Sequence, residues 1–284
     1  MPSAGLRSYV EAIPGTPLPH GILGASCTTI TDVTEDRIHE LNGVEWITFG
    51  CCPVNDWPDP CDDESPSDES PGAPTQKEFC RPALEHASPI TVYAGIECST
   101  LGWSYEEARA HAQASLALGE QQALEAAWWR DTLAMTAVDL TPAAGPVTVE
   151  QGVAALEGCL AESYGGVGTL HVPVGVASLL GCCNVLREDP ATGTLRTLAG
   201  HCAVIGAGYS VMNTGPGNIP AEPGTGWLYI TGPVAIRRGP VDTIPDQRGQ
   251  SINIRSNDMR LLVERTYVVG TTCTVCAIQV VTYP

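Results

Sequence analysis

GWSYEEARAHAQASLALGEQQALEAAWWR, residues 102–130, carries its own start signal. Ser104 and, three residues on, Glu107 form a capping box, in which each side chain satisfies a backbone N–H that the first helical turn leaves open. The spacing therefore predicts a helix starting near Tyr105. Glu106 and Glu107 lie in its first turn, where the helix dipole favours negative charge, and Arg130 lies near its end. Ala108, Ala112, Leu116, Ala123 and Ala127, followed by Leu133 or Met135, approximate one apolar stripe. A helix reaching Leu133 is about 43 Å long at the α-helical rise. Its small side chains allow other backbone to approach closely.

Upstream of this helix, SPITVYAGIECSTLG (88–102) and GVEWITFGC (43–51) read as strands, rich in β-branched and aromatic residues. Between them, Asn55–Lys77 holds seven acidic residues and five prolines, too polar to form a core. Strand, acidic tip, strand predicts a long hairpin projecting from the body. Residues 1–40 read as an extended arm, because IPGTPLPHGILG carries three Pro and three Gly.

Downstream, Thr148 and Gln151 form a second capping box, opening a helix that ends at Gly165–Gly166. VGTLHVP reads as a short buried strand and VGVASLLGCC as a short helix or turn. GTLRTLAGHCAVIGAGYS reads as a hairpin and GWLYITGPVAIRRGPVD as a strand pair. The tail DMRLLVERTYVVGTTCTVCAIQVVTYP reads as two strands joined at Gly270. Helices mixed with mostly antiparallel strands make an α+β chain.

Composition narrows the function. The chain has 284 residues, a net charge of −18, and Lys77 as its only lysine. Counterion-release binding to nucleic acid needs a broad basic surface, which 14 basic residues against 32 acidic ones do not build. The N-terminus lacks a charged region followed by an apolar core, so no secretion signal is expected. No run of 18 apolar residues predicts a membrane span.

Chemistry-bearing patterns are sparse. G-x-S-x-G, P-loop and H-E-x-x-H patterns are missing. GAGYSV (206–211) lacks the third glycine of a dinucleotide fingerprint. The six histidines show no metal-ligand spacing, and His171 reads as a core or strand-end residue. No cofactor and no catalytic residue is assigned. The twelve cysteines are the open question. Without a secretion signal a disulfide framework is disfavoured. Cys273 and Cys276 have C-x-x-C spacing, but flanking residues that read as strand would put them on opposite faces. Cys51, Cys52, Cys61 and Cys80 could make a four-sulfur metal site or a loop disulfide.

The order of elements carries a resemblance: arm, long hairpin, long helix, a helix–strand–helix middle, then closing strands. YGGVGTLHVPVGVASLL (164–180), GTLRTLAGHCAVIGAGYS (193–210), GWLYITGPVAIRRGPVD (226–242) and NDMRLLVERTYVVGTTCTVCAIQVV (257–281) follow in the expected sequence. The chain thus resembles the Hong Kong 97-type major capsid proteins of tailed bacteriophages, a fold shared with encapsulins. The resemblance implies an N-terminal arm (1–42), an E-loop hairpin with an acidic tip (43–102), a spine helix with peripheral domain (103–146), an axial domain (147–242) and closing peripheral strands (243–284). It implies a non-enzymatic shell subunit that assembles in a bacterial cytoplasm, forms hexamers and pentamers, and encloses double-stranded DNA in the virion without sequence-specific contacts. Cement, portal and scaffolding proteins are the further partners implied, and no membrane is.

Trp46, Phe49, Trp57, Lys77, Arg237, Arg238 and Arg265 become the expected intersubunit contacts, with Glu120 and Glu125 as acidic partners. Some family members join a loop Lys to an Asn; Lys77 lies in the matching loop, with no catalytic Glu placed beside it. An encapsulin-like compartment, and from another class a cysteine-site zinc module or enzyme, are the alternatives.

Overall fold

A computed structural model describes residues 15–55, 77–100 and 102–282. In chain order the strands are β1 (Thr29–Asp32), β2 (Val44–Ile47), β3 (Leu84–Ala87), β4 (Pro89–Ser99), β5 (Val138–Asp139), β6 (Thr169–Pro173), β7 (Leu186–Glu188), β8 (Leu195–Thr197), β9 (Cys202–Gly206), β10 (Thr214–Gly215), β11 (Ile219–Pro220), β12 (Thr225–Thr231), β13 (Ala235–Arg238), β14 (Asp242–Ile244), β15 (Ile252–Asn253), β16 (Asp258–Gly270) and β17 (Cys276–Val281). The α-helices are α1 (Tyr105–Trp128), α2 (Ala134–Thr136), α3 (Val149–Ser163), α4 (Val174–Leu180), α5 (Ala207–Met212) and α6 (Arg248–Ser251).

Both capping boxes form as read. The Ser104 hydroxyl accepts from the Glu107 N–H at 3.2 Å, and the Glu107 carboxylate accepts from the Ser104 N–H at 2.8 Å. Thr148 and Gln151 repeat this at α3. The long helix runs through a π-helical turn, Trp129–Leu133, into α2. That turn begins at the second of two consecutive fully buried tryptophans, Trp128 and Trp129. Neighbouring residues on a regular α-helix diverge by about 100°, and the wider turn lets the chain continue while both rings stay inside.

The apolar stripe runs as expected through Ala108, Ala112 and Leu116, then shifts. Ala123 is exposed, while Gln121, Leu124 and Glu125 are buried. Of the two alternatives at the end, Leu133 is buried and Met135 exposed.

Two sheets organise the rest. The six-stranded sheet is built on the 13-residue strand β16. Its one edge pairs with β4 along the whole of that strand, from Pro89 opposite Val268 to Ser99 opposite Asp258. Its other edge pairs in turn with β15, β14 and β13, and β13 pairs with β1. The seven-stranded sheet has the order β5-β17-β12-β6-β9-β8-β7. A short β10–β11 ladder and the β2–β3 ladder stand apart.

Strand alternation explains the layers. Leu170, Val172, Leu228, Ile230, Ile278 and Val280 face α3 and α4 in one core. The residues between them, such as Tyr229 and Ala277, face the end of α1 in the other. A sheet covered on both faces needs strands apolar throughout, which is why every residue of β6 is buried.

Several readings are corrected here. β4 does not return along β2. Its inward residues Val92, Ala94 and Ile96 belong to the core under α1, and a lone ribbon offers no such cover. β12 and β13 lie in different sheets, as do β16 and β17. The sheets therefore cut across the expected boundaries at 147–242 and 243–284: β13 joins the sheet of β16, and β17 closes the sheet of β12. GAGYS opens α5 instead of extending a strand. Residues 15–42 are no free arm. The N–H groups of Ile22 and Leu23 are held by α1, β1 joins the six-stranded sheet, and a 3-10 segment spans Glu35–Asn42.

Candidate assembly surface

The β2–β3 ladder is only four pairs long, Val44 opposite Ala87 to Ile47 opposite Leu84. Thr48 extends it by exchanging hydrogen bonds with Ala83, at 2.9 and 3.0 Å. A two-stranded ribbon this short is marginal in water by itself. Its side chains make it more so: Ile47 is 69% exposed, Phe49 86%, Val54 100%, Phe79 95% and Leu84 64%. Large apolar residues exposed on this ladder and its flanking segments mark a contact surface. A second apolar site lies on the six-stranded sheet, on the side away from α1. There Tyr93, exposed, stands beside Gly95, with Leu262 and Ile244 across the ladder.

The expected contact residues divide. Phe49 projects into solvent. Trp46 is half-buried and turns inward: a Cβ on Gly270 would lie 2.8 Å from its ring. Lys77 is on the surface. Trp57 lies outside the described residues, as does the acidic tip. The three arginines each meet an acid of the same chain. Arg237 meets Glu40 at 3.0 Å, Arg238 meets Asp32 at 2.6 Å, and Arg265 meets Glu120 at 3.0 Å. The Arg238 guanidinium holds the Asp32 carboxyl below its ordinary range. Glu125 is corrected, being fully buried.

The cysteines overturn the expectation that a disulfide framework is disfavoured, and of the two readings of Cys51, Cys52, Cys61 and Cys80 the loop disulfide is the one that forms, between Cys52 and Cys80. Disulfides join Cys27 to Cys202, Cys51 to Cys273, Cys52 to Cys80 and Cys159 to Cys276. Three of the four proposed metal ligands are thereby divided between two bonds, and Cys61 lies outside the described residues. The C-x-x-C pair separates because Cys273 sits in the turn before β17, at positive φ, while Cys276 begins the strand. Sequence separations of up to 222 residues explain why spacing could not reveal these partners.

No family model matches the sequence, and no curated protein does. Solved structures do match along the whole chain. The capsid of the native GTA particle superposes with a TM-score of 0.52 at 14% identity, covering 99% of this chain and 96% of that one. A chain of Microbacterium phage Oxtober96 superposes at 0.51 and 11% identity, covering 100% and 96%. The chain has the Hong Kong 97-type fold.

Within this Hong Kong 97-type chain, sequence reading missed one buried polar centre. Glu125 accepts from the Ile22 N–H at 2.9 Å with one oxygen and from the Gly208 N–H at 2.9 Å with the other. Gln121, one turn earlier, accepts from the Leu23 N–H and donates to the Leu18 carbonyl. Together they tie the N-terminal segment and the start of α5 to α1. Burial pushes the Glu125 carboxyl up to about 7, against the pull of the backbone donors. His171 bonds Tyr209 and Thr231, and burial lowers its pKa to about 3, so it is neutral. Sealed from solvent, it is a packing residue. The signal available in sequence was the polar pair itself, Gln121 and Glu125, four residues apart on the helix face that also carries Leu124 and Trp128. Among the described residues, no helix is long and apolar enough to cross a membrane.

Proposed function

We propose that the chain is the structural subunit of an icosahedral phage head, assembling with its own copies into hexamers and pentamers around double-stranded DNA. The observation that carries this reading is the β2–β3 ribbon and its flanks, with their apolar residues uncovered on a chain of capsid fold. In the assembled shell a neighbouring copy covers that ribbon. Phe49 anchors the contact, and the open face around Tyr93 and Ile244 is a fitting receiver. Lys77, on the surface, takes part beside that contact. The chain works without catalysis, and its charge of −18 favours a wall that DNA slides past. Assembly takes place in the host cytoplasm. Portal, scaffolding and cement proteins join at vertices and seams.

The test is direct. Purified full-length protein, viewed by negative-stain microscopy and sedimentation, should form closed megadalton particles. A monodisperse monomer at micromolar concentration, across salt conditions, overturns the proposal.

A further inference from the structure

Two disulfides meet just past the β2–β3 ladder, at the root of the loop segments that carry Phe49 and Phe79. Cys51 bonds Cys273, in the turn between β16 and β17, and the adjacent Cys52 bonds Cys80 on the opposite leg. One bond ties the ribbon to the body; the other clips its two legs together. Phe49 and Phe79, the exposed aromatics assigned to the subunit contact, lie two residues and one residue from these bonds. Access also differs among the four bonds. Cys51, Cys52 and Cys273 are half-exposed and Cys80 is exposed. The Cys27–Cys202 and Cys159–Cys276 bonds each have one sulfur sealed in the core, Cys202 being 1% and Cys276 0% exposed.

We propose that the Cys51–Cys273 and Cys52–Cys80 pair is a redox-set lock on the ribbon root, open as thiols during assembly and closed by oxidation in the finished particle. This rests on the shell reading. With four thiols, the segments carrying Phe49 and Phe79 are held only through the ladder and can find their place on a neighbour. With two bonds, the anchoring aromatics are held in position, and the entropy that a loose segment gives up on contact no longer opposes the interface.

The chemistry uses an oxidised low-molecular-weight disulfide of the glutathione class. One protein thiolate attacks it, forming a mixed disulfide and releasing one small thiol. The partner protein thiolate then displaces the second small thiol. For each bond the protein loses two protons and two electrons, and the reagent becomes two thiols. Exchange needs access to sulfur, so the ribbon-root pair responds before the two part-buried bonds.

Full-length particles would be assembled under a phosphine reductant, then oxidised with oxidised glutathione, with bonds mapped by mass spectrometry. Titrating reductant back into oxidised wild-type particles should open the ribbon-root pair first. The particle dissociation temperature, followed by light scattering, should then fall by about 5–10 °C, while circular dichroism of the subunit stays native. Cys51→Ser/Cys273→Ser should assemble and lose much of the gain on oxidation; Cys159→Ser/Cys276→Ser should keep it. Equal dissociation temperatures for reduced and oxidised wild type, with the bonds verified, overturn the lock and leave the shell reading standing. Assembly that occurs only after the ribbon-root bonds have closed also overturns it. Failure to form particles in either state overturns the shell reading, and the lock with it.

Discussion

Glu125 is a residue whose burial is costly and which ties three segments together. A carboxyl group held at about 7, above the usual 4.5, binds its proton more tightly in the folded chain than in the unfolded one. Below about pH 4.5 both states are protonated and the group is neutral to stability. Between 4.5 and 7 the folded state holds more protons, so stability falls as pH rises, and above 7 the cost is constant. The full effect is on the order of 3 kcal/mol. Its sign is opposite to that of an ordinary paired carboxylate. Denaturation of dissociated subunits from pH 5 to 8 should reveal this slope, and Glu125→Gln should flatten it. At the acid end the variant should be weaker than wild type by about 1–3 kcal/mol, because an amide N–H replaces an acceptor facing a backbone donor, and this deficit should shrink or reverse toward pH 8, where only wild type carries the cost of a buried charge. A slope unchanged in Glu125→Gln would assign the pH dependence elsewhere. None of this was legible in the sequence: an acidic residue on a long helix reads as solvated until the fold lays another segment over it.

At the scale of the element, the structure explains the small side chains of α1. α5 crosses it closely at Gly208, where a Cβ would lie 2.6 Å from the backbone nitrogen of Ala126 and 2.6 Å from the Glu125 Cβ. A backbone neighbour cannot rotate away, so Gly208→Ala should cost about 1–3 kcal/mol or more. Gly119, on the same helix, has nothing within 4 Å of its built Cβ. Gly119→Ala should therefore stabilise by about 0.5–1 kcal/mol through helix propensity alone. Chemical denaturation of the two variants side by side checks both signs, and a loss in the Gly119 variant would show that the position faces a neighbour. Elements themselves were the most legible level. Both capping boxes, the long helix and the buried strand at 169–173 follow from local pattern. Pairing was less so. β4 reads as one leg of a ribbon, yet its apolar side is claimed by the core under α1, a choice made by residues far away in sequence.

The whole molecule sets a net charge of −18 against the proposed function of packing many copies together. If ion pairs between subunits held the shell, added salt would weaken it. The cations to build such pairs are short: the chain has 13 arginines, and among the described residues six already pair within it, at positions 37, 130, 237, 238, 260 and 265. The contacts offered instead are apolar, led by Phe49, Phe79 and Val54. Raising ionic strength from about 0.1 M to 1 M shortens the screening length from about 10 Å to about 3 Å. Like-charged subunits then repel less, while apolar burial is undiminished. Assembly should accordingly shift to lower protein concentration as sodium chloride rises, measured by light scattering and confirmed by sedimentation. Phe49→Ser/Phe79→Ser should lose particles at every salt concentration, yet its isolated subunit should unfold within about 0.5 kcal/mol of wild type, since neither ring packs on its own chain. Particles that come apart as salt is raised would instead place intersubunit ion pairs at the seams, and the acidic tip would become the first place to look for them.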